Sequence, residues 1–235
     1  EAEDAIADFA ALLGIEETDA RLAGFRVFVR HYTDRTRYRE AARREGVTGN
    51  GGYYSPMTLT CHVMGHSADS LPVMDLRTVR HEVTHAFLWS VAGIAARDAW
   101  LHESLATTME ARGDSTVPLN RLWVLAANSE RTELSLTALF NSEFRSGRLG
   151  RRLLDYSRAW SFGHFMLHGD DERAGRFRKF LADCRGWKID LRAAFRKHFP
   201  DAHGVESAWR DHVNGLIREH LPKTRAATGE FRMYI

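Results

Sequence analysis

The sequence predicts an α+β fold: a small N-terminal β-sheet with its helices, then a hairpin of two helices, then a mostly helical C-terminal lobe. Three observations predict it. Segments rich in β-forming residues are confined to the first third of the chain, and apolar residues recur at helical spacing in almost every segment after about residue 119. Between these regions lies a helical pattern with His81-Glu82-Val83-Thr84-His85 at its centre.

Residues 3 to 13 carry Ile6, Phe9, Ala10, Leu12 and Leu13 and form a short amphipathic helix that ends at Gly14. From Phe25 to Tyr32, Phe25, Val27 and Val29 alternate with Arg26 and Arg30, the pattern of a half-buried strand. Asp34 or Thr33 caps a charged helix running to about Arg44, and Gly46, Gly49, Gly51 and Gly52 then make a loop. Met57 to Met64 is rich in β-formers and is the last strand before the central helix. As an edge strand it would border a cleft and bind extended peptides through its main chain; ordinary pairing is the other reading. Tyr53 and Tyr54 either line that cleft or pack. His62 and His66 belong to no ligand pattern and are expected to face solvent or to be hydrogen-bonded.

The central helix is expected from Asp75, its N-cap after Pro72, to about Ala92, with Leu76, Val79, Val83, Phe87 and Val91 as its apolar stripe. His81 and His85 fall off that stripe, on a face away from the main core that a cleft would explain. Gly93 and the polar stretch around Arg97 and Asp98 then turn the chain back into a second, antiparallel helix. Farther on, Pro118 and Gly150 are the expected breaks among helices near 119–128, 151–168, 172–184, 189–199 and 203–220. No repeat of fixed period and no low-complexity linker divides the chain. It therefore reads as one domain over 1–222, an αβ part to about 112 and a helical part from about 113, with a polar and basic tail over 223–235.

A chain of 235 residues with 44% hydrophobic content can bury a substantial core. Its 33 basic and 31 acidic residues leave a net charge of +2, which gives no reason to invoke nucleic acid or a membrane surface as a partner. No run of about 18 apolar residues is present to span a membrane. The chain starts at Glu1 rather than Met, and the expectation is a trimmed or processed piece from which any export signal has been lost; localisation stays open, with export to the periplasm or the extracellular space favoured. Cys61 and Cys184, far apart in the chain, say little about a disulfide or an oxidising compartment.

Function is legible in the central pentapeptide. Residues i and i+4 stack on one face of a helix, so the His81 and His85 imidazoles converge on one point. Glu82 lies about 100° round the helix, off the metal but close enough to take a proton from zinc-bound water. With 12 His in the chain, accident alone produces such a pentapeptide in about 4% of sequences of this composition, so a third ligand has to decide. Glu103, in Trp100-Leu101-His102-Glu103-Ser104-Leu105-Ala106 and eighteen residues past His85, is that candidate, because the helix hairpin would lay it beside both histidines.

This pairing of an HExxH helix with a W-L-x-E-(G/S)-x-A segment resembles the gluzincin zinc metallopeptidases, the thermolysin and M1 aminopeptidase group. Over roughly residues 24 to 220 the chain is more closely similar to the small bacterial peptidase MA-like domains, with Gly51-Gly52-Tyr53-Tyr54-Ser55-Pro56 ahead of the helix and Tyr156-Ser157-Arg158-Ala159-Trp160-Ser161 after the third ligand. His102-Glu103-Ser104 departs from that family's usual Asn-Glu-Gly, and His102 reads as a partner of the site, a substrate contact or a packed histidine.

The resemblance implies a zincin-like fold and a zinc-dependent peptidase acting on a peptide or protein. Zinc would be held by His81, His85 and Glu103, with Glu82 as general base and Tyr156 as donor to the oxyanion. His164 is a second candidate for that donor, and packing is the other reading of Tyr156. No acidic residue occurs from Gly51 to Val63 to hold a substrate amine, which leans toward an endopeptidase. Two other readings stay open: a catalytically silent zinc-binding or scaffolding module, and a zinc hydrolase of a non-protein amide such as a peptidoglycan stem peptide.

Overall fold

Turn and cap chemistry places most of the helix boundaries. The computed structural model describes residues 2–16, 19–47, 51–65, 73–94, 99–111, 117–128, 133–144, 149–186 and 189–221. Helix α1 (Ala2–Leu13) stops before Gly14, which takes a left-handed φ of 65° that a residue with a Cβ adopts only at a cost. A single turn, α2 (Ala20–Ala23), leads into strand β1 (Phe28–Tyr32). Asp34 caps α3 (Arg35–Arg44) by accepting from the Thr36 and Arg37 amides, as its sequence position predicts.

Two expectations about the sheet are corrected. The Gly-rich stretch, expected as loop through Gly52, ends in strand β2 (Gly52–Ser55), and the strand expected from Met57 begins later, as β3 (Thr60–Met64). The strand order is β1-β3-β2, with β1 parallel and β2 antiparallel to β3. Strand β3 is thus paired on both sides, and β1 and β2 are the edge strands among the described residues. The pattern over Phe25 to Tyr32 also overstated burial. Phe25 is buried but precedes the strand, whereas Phe28 and Val29 in β1 are 66% and 40% exposed.

Helix α4 (Val73–Ser90) starts two residues before its expected cap, Asp75, and the chain leaves it through Gly93 at φ 67°. Val79, Val83, Phe87 and Val91 are buried as the apolar stripe predicts, but Arg80, His81, Glu82, Thr84, Ala86 and Leu88 are buried too. A helix buried all round sits inside the fold. The histidine face is therefore turned toward other helices rather than away from the core, because α5 (Ala99–Met109) packs on α4 and α8 (Leu149–Leu167), packed on α5, brings the Tyr156 ring to 6.3 Å from that of His81.

Polar residues survive in the middle of α5 because they bond their own backbone: Ser104 Oγ donates to the Trp100 carbonyl, Thr107 Oγ1 to that of Glu103, and Thr108 Oγ1 to that of Ser104. Trp100 sets the depth of the helix. Its ring lies among Phe140, Phe162, Phe180 and Phe195, with centroid distances of 4.7 to 6.4 Å, so the start of α5 is pinned three residues ahead of Glu103.

The helical lobe completes the shell. Helix α6 (Leu119–Ala127) begins after Pro118, α7 (Leu136–Phe140) is a short helix that the sequence pattern missed, and Gly150 lies within the first turn of α8 rather than breaking it. Helices α9 (Asp171–Asp183), α10 (Leu191–His198) and α11 (Ala202–His220) are each capped by an aspartate: Asp170, Asp190 and Asp201. One contiguous apolar cluster runs from Ala5 to Leu221. Cys61 and Cys184 lie in that cluster as separate free thiols. The expected turn residues Arg97 and Asp98, His66, and the tail over 223–235 lie outside the described residues. None of the helices among the described residues is long and apolar enough to cross a membrane.

Candidate metal centre

Helix geometry and the α4–α5 hairpin bring three donor atoms together. His81 Nε2 lies 3.0 Å from His85 Nε2, and Glu103 Oε2 lies 3.2 Å from the first and 3.8 Å from the second. Around a tetrahedral cation with ligand bonds of about 2.0–2.1 Å, neighbouring donors stand about 3.3 Å apart. The spacing of the three atoms fits that figure. Glu103 Oε2 is also buried without a properly aligned hydrogen-bond partner, which is costly for a carboxylate unless a cation takes the place of the missing donor. His81, His85 and Glu103 thus form a set able to hold a metal ion.

The other nitrogen of His81 is also engaged. Its Nδ1 lies 2.9 Å from Glu110 Oε1, and Arg121 Nη2 donates to both Glu110 oxygens at 2.7 and 2.6 Å. A carboxylate on Nδ1–H leaves the lone pair on Nε2, the tautomer a metal requires. Burial works against a charge on His81, but Glu103 and Glu110 outweigh it and hold its pKa well above the ordinary value. The metal-free site draws a proton to the point where a cation would sit. Burial likewise opposes the charge on Glu110, yet Arg121 and His81 bring its carboxyl down to about 2. For Glu103, His85 and His81 similarly outweigh burial and lower the pKa.

Sequence reasoning missed Glu110 and Arg121. The signal for Glu110 was its position seven residues after Glu103, two turns along the same face; Arg121 gave none, because it lies on α6, and no local pattern encodes where α6 sits against the end of α5. Arg80, only 3% exposed, adds a clamp that was also missed. Its Nε donates to the Met109 carbonyl at 2.8 Å while its Nη2 pairs with Asp8, so the end of α5 is gripped one residue ahead of Glu110.

Glu82 sits on the β2 side of α4. The Tyr54 amide donates to its carboxylate, and burial, reinforced by the charges of Glu103 and Glu110, pushes its pKa up to about 7 against the opposing pull of His81 and that amide. Gly52 makes this approach possible. A Cβ there would stand 2.5 Å from Thr78 Cγ2 and 3.0 Å from both Cγ and Oε1 of Glu82. Gly52→Ala is expected to displace the Glu82 carboxylate while leaving the metal ligands in place. On the hydrolytic reading that the sequence suggests, metal content should stay at the wild-type level while turnover falls at least tenfold, about 1.4 kcal/mol or more; full turnover would refute this role for Gly52.

Tyr156, on α8, is brought to the cluster, with its ring centroid 6.3 Å from that of His81 and the Arg121 guanidinium 5.7 Å over its face. Burial first, then the charges of Glu103 and Glu82, raise its pKa, so the phenol keeps its proton. His164, the other candidate donor, is placed elsewhere: it is 5% exposed and hydrogen-bonded to His212 on α11. His102 stacks on His85 with centroids 5.7 Å apart, and its Nε2–H donates to the Ile94 carbonyl. It backs a ligand rather than facing a substrate. Tyr53 and His62 stack on the far side of the sheet, where His62 Nδ1 pairs with Tyr32 Oη at 2.8 Å. Of the tyrosine pair, only Tyr54, through its main chain, serves the site.

Compared with protein-family models the chain has no match, and it has none among curated proteins.

Proposed function

We propose that this chain is a zinc-dependent metallopeptidase of the gluzincin kind, with a zincin-like arrangement of edge strand and helix hairpin. The observation that carries the reading is the convergence of His81, His85 and Glu103 within ligand spacing, with Glu82 on the neighbouring face of the same helix. Two imidazoles and a carboxylate are the donor set of a catalytic rather than a structural zinc site, since such a set leaves a coordination position open. A bound Zn2+ supplies the Lewis acidity that acidifies water and polarises a carbonyl.

The chain's own residues account for the rest of the chemistry. Glu82 removes a proton from the attacking water, and a carboxyl raised to about 7 holds it well enough to hand it to the leaving amine. The Tyr156 phenol, kept protonated, donates to the oxygen where negative charge develops. Glu110 and Arg121 fix the His81 ring.

A peptide substrate is supported by the edge strand. Met64 N–H donates to the Gly51 carbonyl, so the alternation of an antiparallel pair turns the main-chain groups of Gly52 and Tyr54 away from β3. The Tyr54 amide goes to Glu82, and the Gly52 amide and both carbonyls face outward along the free edge. An extended chain laid there would pass Glu82 in main-chain register.

Metal analysis of Glu103→Ala tests the reading. The expected result is loss of bound zinc, with affinity down at least a hundredfold, and loss of peptide cleavage with it. Full zinc occupancy in that variant would remove Glu103 from the ligand set and refute the assignment.

A further inference from the structure

The net charge of +2 conceals a local imbalance. Between Arg26 and Arg44 the chain carries seven arginines against two acidic residues, Asp34 and Glu40. All seven arginines are exposed. Asp34 pairs with Arg37, but among the described residues Arg35, Arg39 and Arg43, which follow one another at i+4 along α3, have no carboxylate partner. Like charges at that spacing destabilise a helix, and an anionic partner outside the chain relieves the repulsion.

The sheet beneath α3 ends in an apolar tip. Eight large hydrophobic side chains are exposed among the described residues, and four of them, Phe28, Val29, Met57 and Leu59, gather at one end of the sheet. The Phe28 amide donates to the Leu59 carbonyl at 2.9 Å, and Met57 lies on the turn over 56–59 that joins the paired residues Ser55 and Thr60. At 90% exposure Met57 projects from the surface rather than lining a groove. Phe28, Arg30 and Tyr32 fall on one face of β1, and on that face Tyr32 meets Tyr38 of α3, with ring centroids 5.6 Å apart. Arg30 and the basic helix therefore lie beside the tip. Arg26 completes the rim, held at the foot of β1 by bonds from its Nη1 to the Ala23 and Phe25 carbonyls.

We propose that this end of the sheet docks the chain on an anionic lipid surface, with Phe28, Met57 and Leu59 entering the headgroup layer and Arg26, Arg30 and the α3 arginines resting on its phosphates. A lipid layer admits a projecting apolar tip without a matching cavity. Each arginine beside an anionic surface adds about fivefold in affinity. Single-stranded nucleic acid is favoured less, because it stacks its bases on successive aromatic rings and Phe28 is the one aromatic of the four exposed residues. The metal centre stays clear of the surface, since Glu82 meets β2 at Gly52, about 10 Å from its Ser55 end. Docking and the chemistry of that centre are independent of each other.

Vesicle flotation of the full chain tests this. Mixed phosphatidylcholine and phosphatidylglycerol vesicles should bind it about tenfold or more tightly than phosphatidylcholine alone, and binding should weaken as salt rises. Two paired substitutions at exposed side chains, Arg39→Gln with Arg43→Gln and Phe28→Ser with Met57→Ser, should each lower the affinity about tenfold while the circular dichroism spectrum is unchanged. Equal binding of the wild-type chain to the two vesicle types overturns the proposal without recourse to any variant, and so does full binding by either pair. Polyglutamate in place of vesicles separates a lipid surface from any polyanion. Binding to it as tight as to the mixed vesicles, or self-association of the wild-type chain that the Phe28 and Met57 pair abolishes, assigns the patch to another partner and overturns the proposal as well.

Discussion

Glu82→Gln is expected to lower peptide hydrolysis about a thousandfold, a loss of about 4 kcal/mol of transition-state stabilisation, while zinc content stays at the wild-type level. Gln keeps the shape of the side chain, and its carbonyl oxygen can still accept the Tyr54 amide that the carboxylate now accepts. What it removes is the capacity to take a proton. It also removes a carboxylate that is buried beside Glu103 and Glu110 and whose pKa is raised for that reason. The variant should therefore melt no lower than the wild type. A drop in activity with unchanged metal and an unchanged or higher Tm assigns Glu82 to chemistry rather than to folding. If the rate is preserved, Glu82 is not the base. If activity falls together with Tm and zinc, the residue is structural and the reading of the site changes. A set of generic peptides as substrate is sufficient, because the comparison is between two forms of one chain.

How much of this site could be read in advance follows the range of the interactions involved. His81 and His85 are one turn apart, so their convergence is a property of any helix and was legible at once. Glu103 required only a hairpin, signalled by Gly93 and a polar turn. Glu110 holds His81 from the end of α5, and Arg121 holds Glu110 from a different helix. That contact depends on where α6 sits against the end of α5, and no local periodicity encodes it. Strand β2 was misread for a related reason. Gly51 and Gly52 are loop formers by propensity, but Gly52 lacks a side chain because Thr78 and Glu82 occupy its place. A tertiary demand looked like a local one. The all-round burial of α4 was equally hidden, because a pattern of apolar residues shows one buried face and gives no sign that polar residues are buried on the other.

The close approach of α5 to α8 makes Gly163 the most sensitive packing position. On α8, a Cβ at residue 163 would land on Thr108 Oγ1 and on the Ser104 carbonyl of α5. Thr108 Oγ1 is already bonded to the Ser104 carbonyl, and Ser104 is fully buried, so neither atom can swing aside. Gly163→Val must therefore push the helices apart, and overpacking of this kind costs about 3 kcal/mol. For a chain of this length that corresponds to a Tm about 10 °C lower. The displaced helix is the one that carries Glu103, one residue from Ser104, so zinc affinity should fall with stability although no ligand is touched. Gly215 on α11 provides the contrast, since a Cβ there meets nothing within 4 Å. Gly215→Ala should raise stability by about 1 kcal/mol through helix propensity alone. Thermal melts and zinc titrations of the two variants separate the readings. If both glycine replacements stabilise, α5 and α8 are not in backbone contact at residue 163, and the depth at which Glu103 is held has another cause.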